Sequence, residues 1–114
     1  MANDMGQPPI ALTAREWEVL SAVLEACLPK AQVWAFGSRA TGDHLKRFSD
    51  LDLVVDGADV SPSALARLDD TLEESSLPFK VDVSELRLLT PEFRERIAKQ
   101  MVPLPNTVVA QVTA

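Results

Sequence analysis

Residues 33–55 read VWAFGSRATGDHLKRFSDLDLVV, and the two ends of this stretch decide the fold. At its start, Val33, Trp34 and Phe36 favour extended backbone, predicting a strand over 31–36 that stops at Gly37-Ser38. At its end, Leu51, Leu53 and Val55 alternate with Asp50, Asp52 and Val54, predicting a second strand. Successive side chains of a strand point to opposite faces. Asp50 and Asp52 should therefore share one face while Leu51 and Leu53 enter the core. Between Ser38 and Asp50 lie eleven mostly polar residues.

Helical patterns flank these strands. Thr13 with Glu16 forms a capping-box signature, and Trp17, Leu20, Leu24, Cys27 and Leu28 recur at helical spacing until Pro29. After a turn at 56–61, Ser61-Pro62 opens a helix whose apolar stripe is Leu65, Leu68 and Leu72. The stretch 75–78 breaks it. A third strand is predicted over 79–83, with Val81 and Val83 facing one way and Lys80 and Asp82 the other. Thr90-Pro91 opens a last helix with Phe93, Ile97 and Met101 on one face, and Pro103 and Pro105 then interrupt the chain. Strands alternating with helices predict an α/β (α+β) fold, a small sheet flanked by helices. The expected organisation is a flexible lead-in at 1–9, a domain over 10–105, and a tail or edge strand at 106–114.

Composition narrows the function. The 114 residues are 46% hydrophobic and 25% charged, an ordinary globular balance. Seventeen acidic against eleven basic residues leave a net charge of -6, which argues against stand-alone nucleic-acid binding and suits cations or a basic protein partner. A single cysteine, Cys27, excludes an intramolecular disulfide and a cysteine zinc cluster, and a single His44 excludes a multi-histidine site. No apolar run approaches the ~20 residues that span a bilayer. With a polar N-terminus, the expectation is a cytoplasmic protein without membrane contact, free to self-associate.

Two carboxylates side by side, Asp50 and Asp52, repel each other unless a cation lies between them, and carboxylate oxygens suit Mg²⁺. Alone, such a pair also fits a solvated strand face. Gly37-Ser38 adds a turn where a ligand could approach the backbone closely. Asp82 adds a third acid on another strand, aimed by Val81 and Val83 as the first pair is aimed by Leu51 and Leu53. Cys27, Trp17 and Trp34 read as packing residues, and His44 as solvent-exposed.

Taken together, Gly37-Ser38, the gap, Asp50-Leu51-Asp52-Leu53 and Asp82 within Val-Asp-Val resemble the DNA polymerase beta-type nucleotidyltransferase superfamily. The opening Phe-Gly-Ser-Arg-Ala-Thr-Gly at 36–42 resembles its minimal nucleotidyltransferase branch. The resemblance implies the nucleotidyltransferase fold, with a small mixed sheet. It also implies a reaction dependent on two Mg²⁺ ions, with Asp50 and Asp52 holding both and Asp82 completing the set beside the attacking hydroxyl. Gly37, Ser38 and Arg39 would hold the phosphates of ATP or another NTP. For Arg39 the other reading is a solvated cation, which is the preferred reading for Arg47. Lys80 shares the Asp82 face.

The same resemblance implies transfer of a nucleoside monophosphate, AMP from ATP, to a hydroxyl of a partner protein. Minimal members pair with small helical HEPN-type proteins as toxin and antitoxin, and this chain would be the antitoxin. It contains no Tyr, so tyrosine self-modification is excluded. The alternative is a module of the same fold that neutralises its partner by contact alone.

Overall fold

The computed structural model describes residues 8–105. Helix α1, Ala14–Cys27, begins at Thr13, whose side chain accepts from the Glu16 amide while Glu16 reaches back to the Thr13 amide. This reciprocal cap contributes about 1 kcal/mol. Strand β1, Gln32–Phe36, leads through Gly37 into α2, Ser38–Thr41, a helix of four residues. Strand β2 is Leu51–Asp56 and α3 is Pro62–Glu73, capped by the Ser61 hydroxyl. Strand β3, Val81–Glu85, runs into a short 3₁₀ turn. The chain then forms α4, Pro91–Ala98, and β4, Val102–Leu104.

The four strands form one mixed sheet in the order β3-β2-β1-β4. β1 pairs antiparallel with β2 and β4, and β2 pairs parallel with β3. The parallel pair needs a crossover, which α3 supplies. The apolar stripes of α1 and α3 pack with Val33, Ala35, Leu51, Leu53, Val55 and Leu104 in a single core on one side of the sheet. Leu51 and Leu53 are fully buried there, each contributing about 1.5–3 kcal/mol. α4 lies against the other side, where the rings of Phe36 and Phe93 meet edge to face at 5.9 Å. Val54, facing that side, is fully buried as well, so β2 is covered on both faces at its centre. The expected class, a small mixed sheet flanked by helices, is the one observed.

The boundaries depart from expectation in four places. α4 ends at Ala98, three residues short of Met101, which was expected on its apolar face. β4 forms across Pro103, which sits opposite Trp34. An edge strand tolerates proline because its outward amide needs no ladder partner. β3 begins at Val81 rather than at Phe79 and continues to Glu85. β2 begins at Leu51, leaving Asp50 just ahead of the ladder. The stretch 106–114 lies outside the described residues, as does 1–7 of the expected lead-in. Among the described residues, no helix is long and apolar enough to cross a membrane.

Candidate active site

Strand register brings the predicted acids together. Asp52 of β2 stands directly opposite Asp82 of β3, and opposite Phe36 of β1 on its other side. Paired residues point to the same face, so both carboxylates project from the α4 side, away from the main core. Gly37 follows Phe36 and closes this group. Its φ is +79°, and a Cβ built on it would lie 2.5 Å from Asp52 Oδ2. Glycine is required there on two counts: left-handed backbone, and contact between the bare main chain and a carboxylate. The sequence had suggested only the approach of a ligand.

Asp50 occupies a different setting. It is exposed and lies outside the ladder, while the next amide, Leu51 N–H, donates to Lys80 O at 2.9 Å. Its charge nevertheless reaches Asp52. The Asp52 carboxyl is pushed above the ordinary carboxylate pKa first by burial, then by Asp82, then by Asp50. Repulsion among the acids thus acts in the expected direction, but desolvation leads. Lys80 Nζ lies 3.6 Å from Asp82 Oδ1, so the lysine shares the Asp82 face as expected and draws on its charge.

Three hard oxygen donors within electrostatic reach of one another form a donor set suited to Mg²⁺. They are not preassembled: among the described residues, no group of three His, Cys, Asp or Glu side chains is gathered as a metal site. Like charges resist such a cluster, and Asp50 lies off the strand that was expected to align it. Asp52 is already held between Gly37 and the sheet.

The turn itself is partly engaged. Gly37 N–H donates to Gln100 Oε1 at 3.1 Å, across 63 residues of sequence. No side chain caps the N-terminus of α2, which Ser38 leads in a half-buried position. Nothing in the local sequence marked Gln100, which lies two residues beyond α4.

Arg39 requires a correction. It is 5% exposed, neither a solvated cation nor a cation open to phosphate. Nε donates to Ser49 O at 2.8 Å, Nη1 to Ala11 O at 2.8 Å and Nη2 to Arg47 O at 3.0 Å. The guanidinium lies 4.0 Å from the centroid of the Phe79 ring. An arginine two residues past a glycine turn reads locally as a phosphate ligand. Here the surrounding carbonyls take its donors first. Arg47 is exposed, with its guanidinium 5.2 Å from the Phe48 ring centroid, as a solvated cation should be. His44 is exposed and Cys27 buried, both as expected.

Comparison with known proteins identifies the family of the chain. A family model described as a nucleotidyltransferase domain matches residues 18–104. The Haemophilus influenzae protein named "Probable protein adenylyltransferase MntA" is 35% identical over 92 residues, covering 80% of each chain. The solved structure of a protein described as a minimal nucleotidyltransferase superposes with a TM-score of 0.60 at 36% identity, covering 75% of this chain and 88% of that one. A toxin-antitoxin crystal structure with AMP-PNP superposes with a TM-score of 0.63 at 27% identity, covering 78% of this chain and 72% of the other.

Proposed function

Because this chain belongs to the nucleotidyltransferase domain family and is a nucleotidyltransferase, we propose that it transfers AMP from ATP to a hydroxyl on a partner protein, as the antitoxin of a toxin-antitoxin pair. The observation that carries this reading is the register of Asp52 against Asp82 beside Gly37. It sets two carboxylates next to a glycine turn, where an NTP phosphate chain and an attacking hydroxyl can meet. The protein adenylyltransferase relative supports AMP as the group transferred, and the AMP-PNP complex supports a nucleotide triphosphate as donor. The partner fits a small HEPN-type protein.

Asp50, Asp52 and Asp82 would hold Mg²⁺, which when bound supplies activation of the attacking oxygen and neutralises charge on the pyrophosphate leaving group. The residues of the chain do the rest. Asp52, fixed by the sheet and Gly37, orients the α-phosphate side. Asp82, on the edge strand, faces the acceptor, so the acceptor hydroxyl enters from the β3 side. Ser38 and the α2 amides orient the β- and γ-phosphates, with the Gln100 carboxamide alongside at Gly37 N–H. Negative charge on all three acids opposes a bare triphosphate, so nucleotide and Mg²⁺ should bind together.

The test uses the chain, its genetic neighbour and labelled NTPs. Labelled AMP should appear on the partner in the presence of Mg²⁺, and the Asp50→Asn, Asp52→Asn double variant should lose both labelling and neutralisation. If the double variant folds and still neutralises the partner, contact alone suffices and the catalytic reading fails.

A further inference from the structure

We propose that Arg39 is the positioning residue of this site: its guanidinium braces the backbone that delivers Asp50 and the segment that leads into Asp82. The inference rests on the role proposed above for the three aspartates.

A buried guanidinium normally pairs with a carboxylate or finds a full set of acceptors. Arg39 takes the second course, and its acceptors are informative. They are the carbonyls of Ala11, Arg47 and Ser49, all on segments without helix or strand. Ser49 immediately precedes Asp50. The Ala11 contact is reciprocal, because Ala11 N–H donates to Arg39 O at 2.8 Å. Below the guanidinium lies Phe79, three residues before Asp82 and itself buried. Lys80, between them, accepts through its carbonyl from Leu51 N–H, the amide that follows Asp50.

Arg39 therefore ties three separate segments to one short helix. The N-cap of that helix is Gly37, which packs on Asp52. Asp52 is placed by the sheet; Asp50 is not. The loop that carries Asp50 has local bonds of its own between Lys46 and Ser49, but these fix its shape rather than its place. The Arg39 bonds to Arg47 O and Ser49 O attach that loop to the helix that begins at Gly37. Lysine cannot replace this: a single ammonium cannot reach three carbonyls in a plane while covering an aromatic face. Displacing a reacting group by ~1 Å can lower a rate by about 100-fold.

The experiment compares the full chain with Arg39→Lys and Phe79→Leu. Unfolding midpoints, Mn²⁺ affinity in the presence of ATP by water-proton relaxation, and kcat and KM for AMP transfer would be measured. Asp82→Asn would serve as the inactive control. In folded Arg39→Lys, kcat should fall at least about tenfold and Mn²⁺ affinity should fall with it, while KM for ATP rises by no more than the lost metal affinity accounts for. Phe79→Leu keeps the hydrogen bonds and removes the aromatic face, so it should show the same pattern to a smaller degree. Normal kcat and normal Mn²⁺ affinity in folded Arg39→Lys overturn the brace. So does a rise in KM alone, which would make Arg39 a nucleotide contact. If Arg39→Lys does not fold, Phe79→Leu decides: a loss of kcat together with Mn²⁺ affinity supports the brace, and no change in either overturns it. A wild-type chain that binds Mn²⁺ with ATP but labels no acceptor sinks the functional reading. The brace is then judged on Mn²⁺ affinity alone.

Discussion

On one face of the β2–β3 pair, Leu51, Leu53, Val81 and Val83 turn towards the apolar core; on the other, Asp52 and Asp82 stand opposite each other in register. The backbone is common to both faces, and alternation alone separates them. The apolar face fixes the register, because a slip of one residue would drive the carboxylates into the core. The acidic face works against stability, since it aligns like charges that repel. The core thus holds an arrangement the acids would not adopt alone, as expected where function is placed on a rigid element at some cost in stability.

The sharpest way to break this contrast is to change one residue on each face. Asp82→Asn should lower AMP transfer by about 10³-fold, about 4 kcal/mol of barrier, while the fold and the affinity for MgATP persist. The assignment of Asp82 to the acceptor side makes its contribution one expressed mainly in the transition state. A transfer assay beside a nucleotide titration checks it, and a normal rate would make Asp82 a surface acid. Leu53→Ala, on the opposite face of the adjacent strand, should do the reverse. It should cost about 3 kcal/mol of stability in urea unfolding, because Leu53 is fully buried and leaves a cavity. Whatever remains folded should transfer at a nearly normal specific rate.

The extent to which these faces were legible in the sequence follows from the range of the contacts. The Thr13–Glu16 capping box, the Ser61 and Thr90 caps and the parity of Leu51/Asp52 and Val81/Asp82 are local, and the structure reproduces each. Strand alternation could not show that Val54 is buried too, because what covers the second face of a strand is set by residues distant in sequence. β4 was hidden by Pro103, since only its position at the sheet edge makes the proline harmless. Arg39 was misread for the same reason. Its acceptors lie 8, 10 and 28 residues away, and nothing in a Gly-Ser-Arg turn announces them. Asp50 was placed on the strand because the alternation runs through it, but the ladder starts one residue later.

A smaller effect separates the two ends of α2. Gly37 and Gly42 share a positive φ, +79° and +81°, but differ in ψ, -163° at Gly37 against -3° at Gly42. Alanine at Gly42 should cost about 1 kcal/mol through the left-handed conformation. At Gly37 the backbone lies in a region open essentially to glycine alone, so alanine should cost more, on the order of 1–3 kcal/mol. Only at Gly37 does the added methyl meet Asp52 Oδ2; at Gly42 nothing lies within 4 Å. A larger loss in melting temperature for Gly37→Ala than for Gly42→Ala, with transfer lost only in Gly37→Ala, would sharpen the distinction between the two ends of the helix. Equal activities in the two folded variants would mean that the contact with Asp52 does not matter to the reaction.

The smallest effect concerns the stability that the acidic face gives up. Asp52 holds its proton more tightly in the folded chain than the ordinary carboxyl value of 3.8, because of burial first and then of Asp82 and Asp50. The folded state therefore binds more protons than the unfolded state between the ordinary value and the raised one. Stability falls as pH rises through that window and levels off above it. Asp52→Asn removes the ionisation and with it this loss. In chelator-treated protein, the variant should be the more stable of the two at neutral pH, by a modest margin because the group is only half-buried and solvent screens its neighbours. That margin should shrink as pH falls through the raised value and vanish below the ordinary carboxyl value, where the wild-type Asp52 is protonated in either state. Urea unfolding of both proteins across this range measures it. A margin that does not change with pH would place the effect in packing rather than charge, and the acidic face would then carry no electrostatic strain.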